Sequence, residues 1–153
     1  MKEYDLERFV SAQEYNYENA LTEIRAGKKM SHWIWYIFPQ LKGLGHSYRS
    51  EYYGIEDEDE AKSYLGHPIL GSRLVEITET LLSLKESDPL KVMGSPDDLK
   101  LKSCMTLFAY ISEDGSIFHQ VLEKYFGGAK DEKTMNILEG SVTHGNKNFG
   151  KRI

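Results

Sequence analysis

Eight side chains in this 153-residue chain have the chemistry to hold a ligand: His32, Trp33, Gln40, Ser47, Arg73, Lys102, Ser103 and Thr106. The His32 imidazole offers general acid–base work near neutral pH or, equally, a bond to a neighbouring backbone carbonyl. Gln40 either reads a ligand amide or hydroxyl or satisfies the backbone around Pro39. Ser47 follows the Gly43-Leu44-Gly45 turn, where backbone amides at a helix start can form an anion-binding concavity; a plain helix cap is the competing role. Arg73 suits bidentate clamping of a phosphate or carboxylate, or an ion pair with the Asp57-Glu58-Asp59-Glu60 run. Lys102, Ser103 and Thr106 stand at i, i+1 and i+4 in an otherwise apolar segment, and such groups need partners, because burying each unpaired costs about 1 to 3 kcal/mol. Together the eight would make a cationic, hydroxyl-bearing site with an aromatic wall. The ligand expected there is an anionic small molecule, nucleotide-like if a base stacks on tryptophan while a phosphate meets the cations. The competing class is a non-enzymatic helical protein-interaction module, with Trp33, Trp35, Tyr36 and Phe38 supplying core and an exposed hot spot. Neither reading specifies a reaction.

Several standard chemistries are excluded by spacing. Gly43-Leu44-Gly45-His46-Ser47-Tyr48 lacks the third glycine and the preceding strand of a dinucleotide fingerprint. Gly66 to Gly71 has the two glycines of a phosphate loop, but Ser72 stands where its lysine should be. The five histidines form no i, i+4 pair, so no metal site is expected, and no cofactor is called for. Cys104, set among Leu101, Met105, Leu107 and Phe108, reads as an inert buried thiol rather than a nucleophile. With Lys and Arg numbering 19 against 24 Asp and Glu, the net charge of −5 argues against a nucleic-acid partner, since phosphate neutralisation needs a basic face. One cysteine permits no internal disulfide, and the chain shows neither a signal-peptide pattern nor a run of about eighteen apolar residues, so a cytoplasmic protein with no membrane association is expected.

The elements that must position these groups are helical by period. Leu6, Phe9, Val10 and Gln13 mark one face after Asp5 as N-cap; Tyr17, Ala20, Leu21 and Ile24 mark another that Gly27 can end. The run from Ser31 to Phe38 predicts a short buried helix capped by Ser31 and stopped before Pro39, with a strand as the alternative because Trp, Ile, Tyr and Phe also favour sheets. In this run Trp33 and Phe38 should be buried, while Gln40 and His46 keep access to solvent. Asp57 to Glu60 supplies an acidic first turn for a helix running to Leu65. Leu70, Leu74, Ile77, Leu81 and Leu84 predict one long helix from Ile69 to Leu84. The segment from Leu99 to Ile111 is apolar on too many faces for a surface helix and is expected to lie centrally. Ser116 caps a stretch ending at Gly127-Gly128, and Asp131 to Leu138 forms a last helix. The fold expected is an all-α, compact single-domain bundle of about six to eight short helices. Residues 1–140 form the domain, and the Gly- and Asn-rich residues 141–153 are expected to be a mobile tail.

Three stretches carry a resemblance to a known family. His32-Trp33-Ile34-Trp35-Tyr36-Ile37-Phe38-Pro39-Gln40-Leu41-Lys42-Gly43-Leu44-Gly45, then His67-Pro68-Ile69-Leu70-Gly71-Ser72-Arg73-Leu74, then Lys100-Leu101-Lys102-Ser103-Cys104-Met105-Thr106-Leu107-Phe108 resemble the family of domain of unknown function 1810 (DUF1810). The likeness extends from Leu6 to about Leu138. It implies a small all-helical bacterial domain without an established reaction. Some members carry the label calpastatin, which this sequence does not support: calpastatin inhibitory segments are disordered, whereas this chain is 40% hydrophobic with regular helical periods. The family pattern commonly has two serines before Met-Thr-Leu-Phe. Here the second is Cys104, which leaves Ser103 as the polar group.

Overall fold

The computed structural model describes the backbone of residues 3–146 and the side chains of residues 3–140. Among the described residues ten helices follow one another: α1 (Glu7–Glu14), α2 (Tyr17–Arg25), α3 (Ile34–Ile37), α4 (Tyr48–Tyr52), α5 (Glu58–Gly66), α6 (Leu70–Ser83), α7 (Pro89–Met93), α8 (Asp97–Tyr110), α9 (Ile117–Phe126) and α10 (Glu132–Asn146). The all-α bundle is as the periodicity predicts. The count exceeds six to eight because α3, α4 and α7 are single turns of four or five residues. α10 continues helically through Asn146, past the boundary expected for the tail at 141, and residues 147–153 of that stretch lie outside the described residues.

α8 is the centre. Seven consecutive residues from Ser103 to Ala109 are buried, so the helix has no solvent face over its second half, and α5, α7, α9, α10 and α3 pack around it. α6 is the amphipathic counterpart, burying Leu70, Leu74, Ile77 and Leu81 against α2, α5 and α9. It spans almost the expected range, with Ile69 and Leu84 as its caps. Three carbonyls at its C-terminal end converge on one ammonium group: Lys124 Nζ donates to the carbonyls of Leu81, Leu82 and Leu84. The Tyr125 hydroxyl also donates to Leu81, at 2.6 Å. Burial and then the nearby Glu86 push that phenol up to about 12. At the other end of α6, Gly71 lets the last turn of α5 approach so closely that an added Cβ would lie 2.0 Å from the Leu65 carbonyl oxygen.

Caps follow the sequence at several helices. Asp57, Asp88 and Ser116 accept hydrogen bonds from the amides of Glu60, Leu90 and His119 respectively. Gly127, at φ +63°, ends α9 in the left-handed region. Two caps differ. α1 begins after Leu6 with no side-chain cap, and Asp5 instead offers its carbonyl to Arg8. α3 begins after Trp33, because Ser31 is drawn away to a stronger, charged acceptor, the carboxylate of Glu23, at 2.6 Å.

Candidate functional site

The aromatic segment passes from core to surface through α3. Trp33 and Phe38 are 1% and 0% exposed, while Gln40 is half-buried and His46 exposed, as the sequence predicts. Beyond Pro39 the chain makes a parallel bridge of Leu41 with Ile55: Ile55 N–H donates to the Gln40 carbonyl at 2.9 Å and Lys42 N–H to the Ile55 carbonyl at 2.8 Å. The strand tendency of the segment survives only there. This bridge fixes Gln40 and the glycine turn after it over the first turns of α8 and α10.

A cavity of about 260 Å3 lies at that meeting point. Gln40, Leu44 and Gly45 come from the turn; Pro96, Leu99, Lys100 and Ser103 from the start of α8; Asp131 and Lys133 from the start of α10. Two lysines, Lys100 and Lys133, and one carboxylate therefore line it. That carboxylate is already engaged: Asp131 Oδ2 accepts the Thr134 amide at 2.9 Å and the Thr134 hydroxyl at 2.5 Å, as the cap of α10. Lys100 Nζ stands 3.8 Å from Asp97 and 5.0 Å from the Trp35 ring centroid, and Arg49 approaches the same ring at 4.9 Å. Trp35 Nε1 is buried with no hydrogen-bond partner among the described residues.

Of the eight sequence-predicted residues, Gln40 and Ser103 line this cavity together, and the other six do not. His32 is exposed on the loop between α2 and α3. Trp33 is core, its Nε1 donating to Glu23 at 2.9 Å. Ser47 caps α4, accepting from the Ser50 amide at 3.1 Å. Arg73 faces α1 and α2, donating to Gln13 Oε1 at 3.3 Å and lying 5.2 Å from the Tyr17 ring. It pairs with nothing in the acidic run, whose buried member, Glu60, is held by Arg8 at 2.9 Å. The stripe on α8 divides. Thr106 Oγ1 donates to the Lys102 carbonyl and Ser103 Oγ to the Leu99 carbonyl, at 2.8 and 3.2 Å, so the helix itself satisfies both hydroxyls. Lys102 lies 5.9 Å from the Phe126 ring.

One of the residues that sequence reasoning missed, Lys100, was within its reach. At 3.6 residues per turn, Lys100 and Ser103 (i, i+3) share a face of α8, whereas Lys102 and Thr106 (i, i+4) share another. Grouping by wheel position rather than by adjacency finds Lys100. Lys133 had no such signal. Glu23 is the other omission. It accepts hydrogen bonds from the Met30 and Ser31 amides, the Ser31 hydroxyl and Trp33 Nε1, and so shapes the whole loop that precedes α3. Burial pushes its carboxyl up, but these bonds outweigh it and hold the pKa at about 2. Cys104 is fully buried, and burial pushes its thiol well above the usual range, as befits an inert core residue.

Among the described residues, no group of three or more His, Cys, Asp or Glu side chains is placed to hold a metal ion. None of their helices is long and apolar enough to cross a membrane. Trp33 is buried and Trp35 half-buried, so the two tryptophans do not form an exposed pair.

An all-helical bundle of short elements around one buried helix, with a small cavity at its rim, defines the class of the molecule. Residues 3–138 match the family described as "Protein of unknown function (DUF1810)", and the chain belongs to that family. Its fold is similar to the crystal structure of the conserved hypothetical protein Rv1873 from Mycobacterium tuberculosis, with 44% sequence identity, a TM-score of 0.87, and coverage of 89% of this chain and 97% of that one. No curated protein matches the chain.

Proposed function

We propose that this chain binds a small anionic molecule, with the cavity between the Gln40–Gly45 turn and the first turns of α8 and α10 as its site. The observation that carries the reading is the charge balance of that cavity: two lysines against one carboxylate that is already committed to capping a helix. Lys133, which has no ion-pair partner among the described residues, and Lys100, held by Asp97 only at 3.8 Å, stand beside apolar Leu44, Pro96 and Leu99 and attract a carboxylate or phosphate, and the amide of Gln40 adds a neutral donor. At about 260 Å3 the cavity falls just below the range of about 300 to 1,000 Å3 usual for drug-sized ligands, which suits a small anion or the anionic end of a larger, nucleotide-like one.

Thermal-shift screening with inorganic phosphate, sugar phosphates, dicarboxylates and nucleoside monophosphates tests this, because a ligand at about 100 times its Kd adds about 2.7 kcal/mol to stability. The Lys100→Gln, Lys133→Gln double variant should lose the shift. Arg73→Ala should keep it, while lowering the melting temperature of the unliganded protein through the lost Gln13 and Tyr17 contacts. Shifts retained in the lysine variant, or lost in Arg73→Ala alone, would refute the assignment of the site.

A further inference from the structure

An open groove of about 810 Å3 runs where α5 ends, α6 begins and α9 starts, and it shares no lining residue with the anion cavity. Its floor is apolar, made by Leu65, Val75 and Phe118. Its wall is acidic, made by Glu76 and Glu79 at i and i+3 on α6, and no Lys or Arg lines it. The single cation of α6, Arg73, is turned away to Gln13 and the Tyr17 ring, so the helix does not neutralise its own acids. Glu76 is held in place by the Tyr17 hydroxyl at 2.6 Å, and Arg25 reaches its other oxygen only at 3.9 Å, with both side chains more than half exposed. Glu79 has no ion-pair partner among the described residues. Two other polar side chains line it: Ser72, whose hydroxyl donates to the Pro68 carbonyl at 2.7 Å, and His67, whose Nδ1 accepts from the Ile69 and Leu70 amides at 3.1 and 3.2 Å, which assigns the neutral-ring proton to Nε2, the ring nitrogen left for a ligand.

We propose that this groove docks a cationic amphipathic segment of a partner protein, with apolar side chains on the Leu65, Val75 and Phe118 floor and Lys or Arg side chains against Glu76 and Glu79. Charge complementarity selects that occupant: an anionic or neutral apolar segment would leave Glu79 without a counter-charge and Glu76 with only the distant Arg25, a deficit that a basic segment makes good. The apolar floor requires more than charge. A purely basic chain satisfies the wall and leaves the floor wet.

Fluorescence anisotropy with a labelled Leu-Lys-Lys-Leu-Leu-Lys-Lys-Leu peptide measures the interaction on the intact chain, with an octalysine peptide as the charge-only comparison. Saturable binding is expected, weakening as salt is raised and about tenfold weaker in the Glu76→Gln, Glu79→Gln double variant, which removes both exposed ion pairs. Ser72→Lys, which alters an exposed groove residue and not the core, should weaken it as well. Octalysine binding as tightly, indifference to both sets of variants, backbone amide shifts that map outside residues 65–79 and 117–118, or no binding would each overturn the proposal. So would a self-association of the chain that these variants abolish, because the groove's occupant would then be a second copy.

Discussion

Glu23 is a carboxylate whose value to the fold depends on its charge. Four donors converge on it from residues 30–33, and its pKa of about 2 lies below the ordinary 4.5. A depressed folded-state pKa means that its stabilisation is complete above about pH 4.5 and is lost as pH falls toward 2. Glu23→Gln should therefore lower stability at neutral pH by about 1 to 3 kcal/mol, and the gap from the parent should close through that acid window. Chemical-denaturation midpoints of both proteins across pH 7 to 2.5 read this directly; a gap independent of pH would contradict it. Arg8 and Glu60 pose a different problem, since their side chains are only 9% and 2% exposed. The guanidinium also donates to the carbonyls of Tyr52 and Gly54, and Glu60 Oε1 accepts the Glu56 amide. Arg8→Met alone would strand a buried carboxylate and should cost about 3 to 5 kcal/mol, whereas Arg8→Met with Glu60→Leu should cost less than the sum of the two single changes. A double-mutant cycle by urea unfolding gives the coupling, and additive losses would exclude it.

At the scale of elements, what the sequence made legible and what it hid have separate causes. α6 was readable because one face carries Leu70, Leu74, Ile77 and Leu81 with little interruption. α8 was readable as central because it is apolar all round, but for the same reason its polar residues gave no face, and adjacency misled where wheel position would not. The single turns α3 and α4 are too short to show a period, and α3 was legible instead from the apolar run that Pro39 stops. The loop before α3 was hidden because its organiser, Glu23, lies on α2, where the sequence shows only one more acid on a solvated helix. Two of the nine residues that line the candidate cavity were visible, Gln40 and Ser103, because both stand at breaks between apolar and polar chain; Lys133 looks like any surface lysine until the fold brings α10 against α8. That contact has a specific link: the Asp131 amide donates to Thr106 Oγ1 at 2.9 Å. Thr106→Val should keep the packing volume, cost about 1 to 2 kcal/mol and speed hydrogen exchange at the start of α10, while Ser103→Ala, which loses only a bond to its own helix, should leave that exchange unchanged. Equal exchange in the Thr106 variant would show that the docking of α10 does not depend on this bond.

The whole molecule is one buried helix wrapped by nine shorter or more amphipathic ones among the described residues, with its net negative charge distributed unevenly over the surface. Carboxylates wall the groove at α5, α6 and α9, whereas lysines predominate in the cavity at α8 and α10. The two proposals, an anionic small molecule in one concavity and a basic segment in the other, both rest on this asymmetry. The central claim is that the lysine-bearing cavity takes the anion. It is tested most directly by an NMR titration of the 15N-labelled chain with inorganic phosphate and a nucleoside monophosphate, following backbone amides and the Gln40 side-chain amide together. The account predicts saturable shifts at Gln40, Gly45, Lys100 and Lys133 that vanish in the Lys100→Gln, Lys133→Gln variant; shifts centred on Arg73 or Ser47, or none at millimolar ligand, would contradict it.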